Sequence, residues 1–202
     1  EFIMKTKEQV QFMDKVVLAL QKTAVELEEF QVQAALGKAE AKDKYKDVKK
    51  KFNLFLHDSE FKIHGIKEKI EDVNTKFDEL RVQLALGKAE SKEVFLKQKK
   101  QIFNTLHEIE VKIKTNETLN RMYAIALIQI EQFKIQLEIL EQKFKDSKST
   151  EETKSAFEKG KQDFNDFVNK LTKKKKEETQ LEHFQNEISE AFDHFKKAFS
   201  KP

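Results

Sequence analysis

The 202-residue chain contains no cysteine, no tryptophan, one proline and four glycines. Without cysteine it can form no disulfide scaffold, no thiolate metal site and no cysteine nucleophile. Sheet proteins need turn residues every ~8–12 positions. The scarcity of glycine and proline therefore excludes an all-β or α/β fold, and the sequence predicts an all-α protein.

Long apolar runs and a charge of one sign are also missing. No stretch approaches the ~20 apolar residues that span a bilayer. The most apolar window, MYAIALIQI, has nine residues between Arg121 and Glu131 and predicts a buried helix segment. Lysine and arginine number 39 against 36 acidic residues, a net charge of +3 that is too balanced for a nucleic-acid binder. The sequence predicts neither a transmembrane segment nor a nucleic-acid partner.

What the chain does contain is an internal repeat. Two segments, beginning at Val32 and Val82, align at an offset of 50 and share LGKAE, a Leu-His pair and a closing Lys-Ile. A fainter third copy follows 62 residues after the second. Such periods are typical of duplicated helical units that cannot bury an apolar face alone. We expect an elongated antiparallel helical bundle of about three repeated hairpins plus a C-terminal helix.

The helix breaks fall at equivalent places in the copies. Gly37 and Gly87 each follow Ala-Leu and can provide the left-handed residue that ends a helix. The breaks predict helices at 5–36, 39–63, 66–86, 89–114, 117–146, 151–172 and 178–199. The alternative is that LGKAE continues the helix, since one glycine costs only ~1 kcal/mol, which would give rods of about 50 residues. The hairpin interpretation is favoured, with a duplicated region at 1–115 and a region of a divergent hairpin and amphipathic helix at 116–202.

Apolar residues at steps of three and four place one stripe on most of these helices. The segment 119–144 differs, because it carries a second apolar flank beside the first. A helix that is apolar around most of its circumference is buried. We therefore predict that 119–144 is the central helix, contacted by several neighbours.

The histidines do not form a recognisable metal motif. Di-iron sites in bundles need Glu three residues before His on two helices, and that spacing is missing. His57 and His107 have the reverse spacing, before Glu60 and Glu110, and neutral surface positions explain them better than a ligand pair. The chain also has no serine or threonine in a nucleophile motif and no glycine-rich phosphate loop. The sequence predicts no catalytic residue, no metal, no cofactor and no enzyme.

Two lysine runs, 49–51 and 173–176, could in principle contact an anionic membrane. Acidic neighbours and the balanced overall charge weaken that interpretation. We expect both runs to lie on a solvated helix face or loop.

Phenylalanine is the compositional oddity, with 18 residues against two tyrosines. Ordinary core packing is the favoured interpretation; the others are a cavity for an acyl chain and an apolar face for a partner. The candidate apolar ligand or core lining consists of Phe52, Phe55, Tyr123, Ile130, Phe133, Leu137, Phe164, Phe192 and Phe195.

The Lys/Glu-rich amphipathic helices, low proline and missing cysteine give the chain a resemblance to exchangeable apolipoproteins, and to insect apolipophorins in particular. The segment from Phe157 to Phe199 (FEKGKQDFNDFVNKL through EAFDHFKKAF) shows it most. This resemblance is one of composition, and it implies no functional residues. It implies a soluble carrier of lipid.

Two functions are therefore expected from the sequence. The first is a non-enzymatic, secreted helical bundle that binds a protein partner through its helix faces; a cytoplasmic location stays open. Secretion is favoured if Glu1-Phe2 is a cloning remnant and a leader preceded Ile3, although a chain trimmed at a convenient point explains the start equally well. The alternative function is a soluble carrier of fatty acids or other lipids with a Phe-rich interior. A structural role in a filament or coat is weaker.

Overall fold

The computed structural model describes residues 2–34, 38–58, 67–87, 89–115 and 124–144, and the short stretches 158–159, 162–166 and 169. Within these ranges the chain forms helices and no strand, so the predicted all-α fold is confirmed. The helices are α1 (Phe2–Ala34), α2 (Lys38–Asp58), α3 (Lys67–Ala85), α4 (Lys92–Lys114) and α5 (Ala124–Phe144). The predicted helix at 178–199 lies outside the described residues.

The LGKAE segment of the second copy interrupts the helix. α3 ends at Ala85 and α4 begins at Lys92, with Gly87 in the non-helical connection. In the first copy α1 ends at Ala34 and α2 begins at Lys38, and residues 35–37 lie outside the described ranges. In the second copy the chain is therefore broken into two helices at LGKAE, and the long continuous rod is wrong there.

The two copies begin their second helix differently. The Ser91 side chain accepts a hydrogen bond of 3.2 Å from the Val94 backbone N–H, which makes Ser91 the N-cap of α4. The equivalent residue in the first copy is Ala41, which has no side-chain acceptor and lies inside α2. The serine thus fixes the start of α4 at a point where the first copy is already helical.

The expected role of Gly87 is wrong. Its φ lies outside the left-handed region, so α3 does not end on a left-handed glycine. The Leu86 N–H instead donates to the Gln83 carbonyl at 3.3 Å, a tighter last turn. The Leu86 and Gly87 carbonyls at this end of α3 accept hydrogen bonds from a lysine of α2, which is described below.

The chain divides into two compact units. The continuous unit comprises residues 32–147, and the split unit comprises 1–31 together with 148–202. The boundary expected between 115 and 116 falls inside the continuous unit, between α4 and α5. The reason is that α5 packs on both α2 and α4, so the duplicated hairpins share a core with it.

The continuous unit is a closed ring of four helices: α2 packs on α3 and α5, and α4 packs on α3 and α5. Residue numbers run in opposite directions across these contacts, since Lys76 pairs with Glu108 while Asp72 pairs with Lys112. Neighbouring helices are therefore antiparallel, as in an up-down-up-down bundle. The apolar stripe of each helix faces the interior of the ring.

α5 has buried side chains on more than one face. Ile130 and Leu137 lie on the stripe that faces the bundle, while Ile128, Ile135 and Ile139 are buried on the opposite side. Burial therefore extends around most of the circumference of α5, whereas its place as the central helix stays a prediction, because within the described ranges α5 is one of the four helices of the ring. Among the described helices, its neighbours are α2 and α4.

In the split unit, most of α1 shows an ordinary amphipathic pattern. Its buried side chains include Val16, Leu20 and Leu27, and Phe164 of the same unit is also buried. Two apolar side chains, Leu18 and Val25, point away from that stripe into solvent.

None of the helices in the described ranges has the length and apolarity needed to cross a membrane.

Candidate functional site

Four of the nine predicted lining residues belong to the core of the continuous unit. Phe52, Ile130, Phe133 and Leu137 are all buried there. The rings of Phe52 on α2 and Phe133 on α5 are stacked, with centroids 4.2 Å apart and an interplanar angle of 8°. Their contact joins the first duplicated helix to α5.

The other predicted lining residues are not brought to that place. Phe55 is half-buried at the edge of the stack, with its ring centroid 6.2 Å from that of Phe52. Phe164 is buried, but in the split unit. Tyr123, Phe192 and Phe195 lie outside the described residues. The nine predicted positions therefore do not form a single lining.

A second aromatic cluster, which the sequence analysis missed, lies near one end of the bundle. The Tyr45 ring meets Phe95 edge-on at 5.0 Å and Phe144 at 6.5 Å, and Phe95 stacks on Phe144 at 4.4 Å. These rings join α2, α4 and α5. The repeat offset was the available signal, because Tyr45 and Phe95 are equivalent positions.

Lys49 is the most unexpected side chain of the bundle, because it is only 2% exposed. Its ammonium group donates hydrogen bonds to the Leu86 carbonyl at 2.7 Å and to the Gly87 carbonyl at 3.0 Å. It also lies 4.2 Å from the centre of the Tyr45 ring, a cation–π contact. Lys49 thus stabilises the C-terminal end of α3, where carbonyls lack helical partners.

Gln98 of α4 completes this cluster. Its Oε1 accepts a hydrogen bond of 2.7 Å from the Tyr45 hydroxyl and lies 3.4 Å from the Lys49 ammonium. Burial raises the pKa of Tyr45 and lowers that of Lys49 to about 8. The expected solvated position of the 49–51 run is therefore wrong for Lys49, whereas Lys50 and Lys51 are exposed as expected.

The contact between α4 and α5 contains buried charges. Lys99 on α4 pairs with Glu138 at 2.7 Å and with Glu141, both on α5. Further along, Lys134 on α5 pairs with Glu110 on α4 and, at 3.2 Å, with Glu131 of its own helix. We call these six side chains the charged seam. Each of them is less than a fifth exposed.

The pKa shifts within the charged seam follow from burial and charge together. Burial raises the pKa of Glu110, and the nearby Lys134 offsets this only in part. Burial acts to lower the pKa of Lys134, but Glu131 and Glu110 outweigh it, so that the pKa is raised. The ammonium of Lys134 therefore stays charged inside the bundle, held by two carboxylates.

The histidines give no metal site in the described part of the chain. His57 is exposed, with Nδ1 3.3 Å from a guanidinium nitrogen of Arg81. His107 is also exposed, whereas Glu110 is buried beside Lys134, so the reverse-spaced pair does not converge. Glu60, His64, His183 and His194 lie outside the described ranges. Within those ranges, no group of three or more imidazole or carboxylate side chains is placed to hold a metal ion.

Large apolar side chains are also exposed on the helix surfaces. In the continuous unit, Leu54 lies on α2, Val82 and Leu86 lie at the end of α3, and Val94 and Val111 lie near opposite ends of α4, so these side chains are spread over three helices. On α1, by contrast, two of them are seven residues apart and share one face. The exposed apolar side chains are Leu18, Val25, Leu54, Val82, Leu86, Val94 and Val111.

Comparison of the chain with protein-family models, curated proteins and solved structures finds no match.

Proposed function

We propose that the chain is a non-enzymatic, secreted binding protein that contacts a protein partner through the outer face of α1. The observation that carries this proposal is the pair Leu18 and Val25, which are 64% and 55% exposed. One exposed leucine needs no explanation. Two apolar side chains two turns apart on one face, opposite a buried stripe, form the start of a contact surface.

The surroundings of this pair suit a protein partner. Lys22 and Glu26 lie beside it on α1 and pair with each other at 3.7 Å. A small apolar centre with a rim of both charge signs matches the anatomy of protein interfaces. Because a lysine and a glutamate lie side by side here, this face of α1 does not favour a strongly anionic partner.

The use of polar groups inside the bundle supports a non-enzymatic role. The Lys49 ammonium is bonded to backbone carbonyls, and the lysines of the charged seam are paired with carboxylates. A general acid, base or nucleophile must be within reach of a substrate. These groups instead hold helices together.

The alternative function, a lipid carrier, needs space around an acyl chain. The phenylalanine rings of the described interior stack on one another at 4.2 and 4.4 Å, which is ring-to-ring contact. That packing favours a protein core over a lipid lining. Organic extraction of the purified chain, followed by mass spectrometry, tests the alternative directly: recovery of one lipid per chain would replace the proposal.

The proposal is tested by a surface variant with a matched control. Leu18→Ser with Val25→Ser removes the apolar pair of α1, and Leu54→Ser with Val82→Ser removes two equally exposed side chains of the continuous unit. Immobilised wild-type chain captures partners from culture medium and from cell lysate of the source cells, and a captured protein is then purified. Its affinity for all three chains is measured by titration calorimetry.

We expect the α1 variant to lose about tenfold or more in affinity, because buried apolar anchors dominate binding energy, and the control to bind like the wild type. Equal binding by both variants, or no purified protein that binds the wild type, would contradict the proposal. Capture from the medium rather than the lysate tests the predicted secretion.

A further inference from the structure

The contacts between neighbouring helices of the continuous unit differ in chemistry. α2 and α5 are joined by the stacked rings of Phe52 and Phe133. α3 and α4 share the largest contact and place their ion pairs, such as Lys76 with Glu108, at the solvated surface. α4 and α5, by contrast, bury the charged seam within their contact.

This difference makes the α4–α5 contact the weakest of the ring. Removing a charge from water costs several kcal/mol, and a buried ion pair regains this only with very good geometry. An apolar contact has no such cost. When α4 moves away from α5, water solvates the charged seam, and this offsets part of the loss of apolar burial.

One end of the same contact is held by apolar rings. Phe95 at the start of α4 stacks on Phe144 at the end of α5. The charged seam begins at Lys99, one turn further along α4, and continues to Glu110. The stacked rings therefore provide a pivot, and the charged residues lie on one side of it.

We propose that the continuous unit opens locally by separation of α4 from α5 along the charged seam, with the Phe95–Phe144 stack as the pivot and α3 moving together with α4. Local openings of this kind occur without global unfolding in many proteins. Opening exposes the apolar side chains beside the charges, among them Leu137 of α5, which is buried in the closed state. Contacts between α3 and α4 persist.

Thiol labelling tests this opening, since the chain has no cysteine of its own. Leu137→Cys places a thiol next to Glu138 on the charged seam. Thr105→Cys places one on the α3-facing side of α4, seven residues before Lys112, which pairs with Asp72 of α3. Both positions are buried. Labelling is measured with excess reagent in the absence of denaturant.

We expect the thiol at 137 to be labelled about tenfold or more faster than the thiol at 105, which reacts only through global unfolding. Each rate is compared with the global unfolding of the same variant, measured by urea denaturation. If Leu137→Cys does not fold, Ile130→Cys probes the same stripe. Labelling of both thiols at the global rate would overturn the proposal.

A second pair of variants tests the part played by the charges. In the Leu137→Cys background, Lys99→Met with Glu138→Leu and Glu141→Leu makes the contact apolar. Lys76→Met with Glu108→Leu makes the corresponding change in the α3–α4 contact. We expect the first set to slow labelling about fivefold or more and the second to leave it unchanged. Slowing by both sets, or by neither, would contradict a charge-dependent opening.

Discussion

Tyr45 and Phe95, which occupy the same position in the two copies of the repeat, lie edge to face with ring centroids 5.0 Å apart. α2 and α4 are each antiparallel to α3 and hence parallel to each other, with these two equivalent residues at the same level. Lys49 and Lys99 are the next equivalent pair, and both turn to the antiparallel helix that follows their own copy. The duplication thus repeats the position of a lysine against the next helix, but the partners differ: backbone carbonyls for Lys49 and carboxylates for Lys99.

The pH dependence of stability should report the burial of Lys49. Its pKa is about 8 in the folded chain and ordinary, about 10.4, in the unfolded chain, so the unfolded state binds more protons between these values. The free energy of unfolding then rises with pH. We expect Lys49 to contribute a rise of about 1–2 kcal/mol between pH 8 and 9.5, measured by urea unfolding.

Comparing the pH dependence of unfolding among variants separates the contribution of Lys49 from those of the other lysines. Lys49→Met should lack the rise, whereas Lys50→Met, a change at the exposed neighbour, should keep it. The window stops at pH 9.5 because ionisation of Tyr45, whose pKa is raised by burial, acts in the opposite direction at higher pH. A parallel pH dependence in the wild type and Lys49→Met would show that the ammonium is solvated.

Glu108 and Glu110 lie two residues apart on α4, so the pKa values of their carboxyl groups can be compared within one helix. The hydrogen bond from Lys76 lowers the pKa of Glu108, while burial raises that of Glu110. We expect the Glu110 carboxyl carbon to titrate at a higher pH than that of Glu108, followed by NMR. Because the pKa of Glu110 is raised, its contribution to folding should grow as the pH falls towards the ordinary glutamate value. The reverse order of midpoints would place Glu110 in water.

Truncating Phe133 and Phe55 in separate variants should show which ring of the stack lies in the core and which lies at its edge. Phe133→Ala removes a ring that is 1% exposed and stacked on Phe52, so we expect a loss of about 3–5 kcal/mol of unfolding free energy. Phe55→Ala, at the half-buried edge of the same stack, should cost about 1 kcal/mol or less. Urea unfolding followed by circular dichroism measures both. Similar losses in the two variants would mean that the stack is not the centre of the core.

Gly87→Ala should be tolerated, although the residue lies in the LGKAE connection between α3 and α4. Its φ lies outside the left-handed region, and an added Cβ would have no atom within 4 Å. Alanine also reduces the freedom of the unfolded chain, so we expect a stability unchanged or higher by about 0.4–1 kcal/mol. Thermal unfolding measures the change. A clear loss of stability would indicate that this position needs the conformations available only to glycine.

The sequence predicts the fold class and most helix positions because apolar spacing and scarce turn residues are local signals. The predicted helix at 89–114 and the observed α4 at Lys92–Lys114 end at the same residue. The break after Leu86 is likewise predicted from Gly87. These features depend on few long-range contacts, so periodicity is enough to find them.

The buried lysines could not be predicted in the same way. Lys49 follows Tyr45 by four residues and precedes Phe52 by three, so its position on the inner face is visible in the sequence. Its partners are backbone carbonyls at the end of another helix, which no motif encodes. The charged seam likewise depends on which helices are neighbours. Only the packing of α4 on α5 brings Lys99 to Glu138.

The antiparallel contact of α2 with α5 also determines which helix ends of the four-helix ring lie together. The Tyr45 and Phe144 rings, 6.5 Å apart, lie near the first turns of α2 and in the last turn of α5, so the start of α2 and the end of α5 lie at the same end of the bundle. Chain ends that lie close together tolerate circular permutation, because a short linker can join them. In the four-helix ring, the start of α2 and the end of α5 are the ends that such a linker would join.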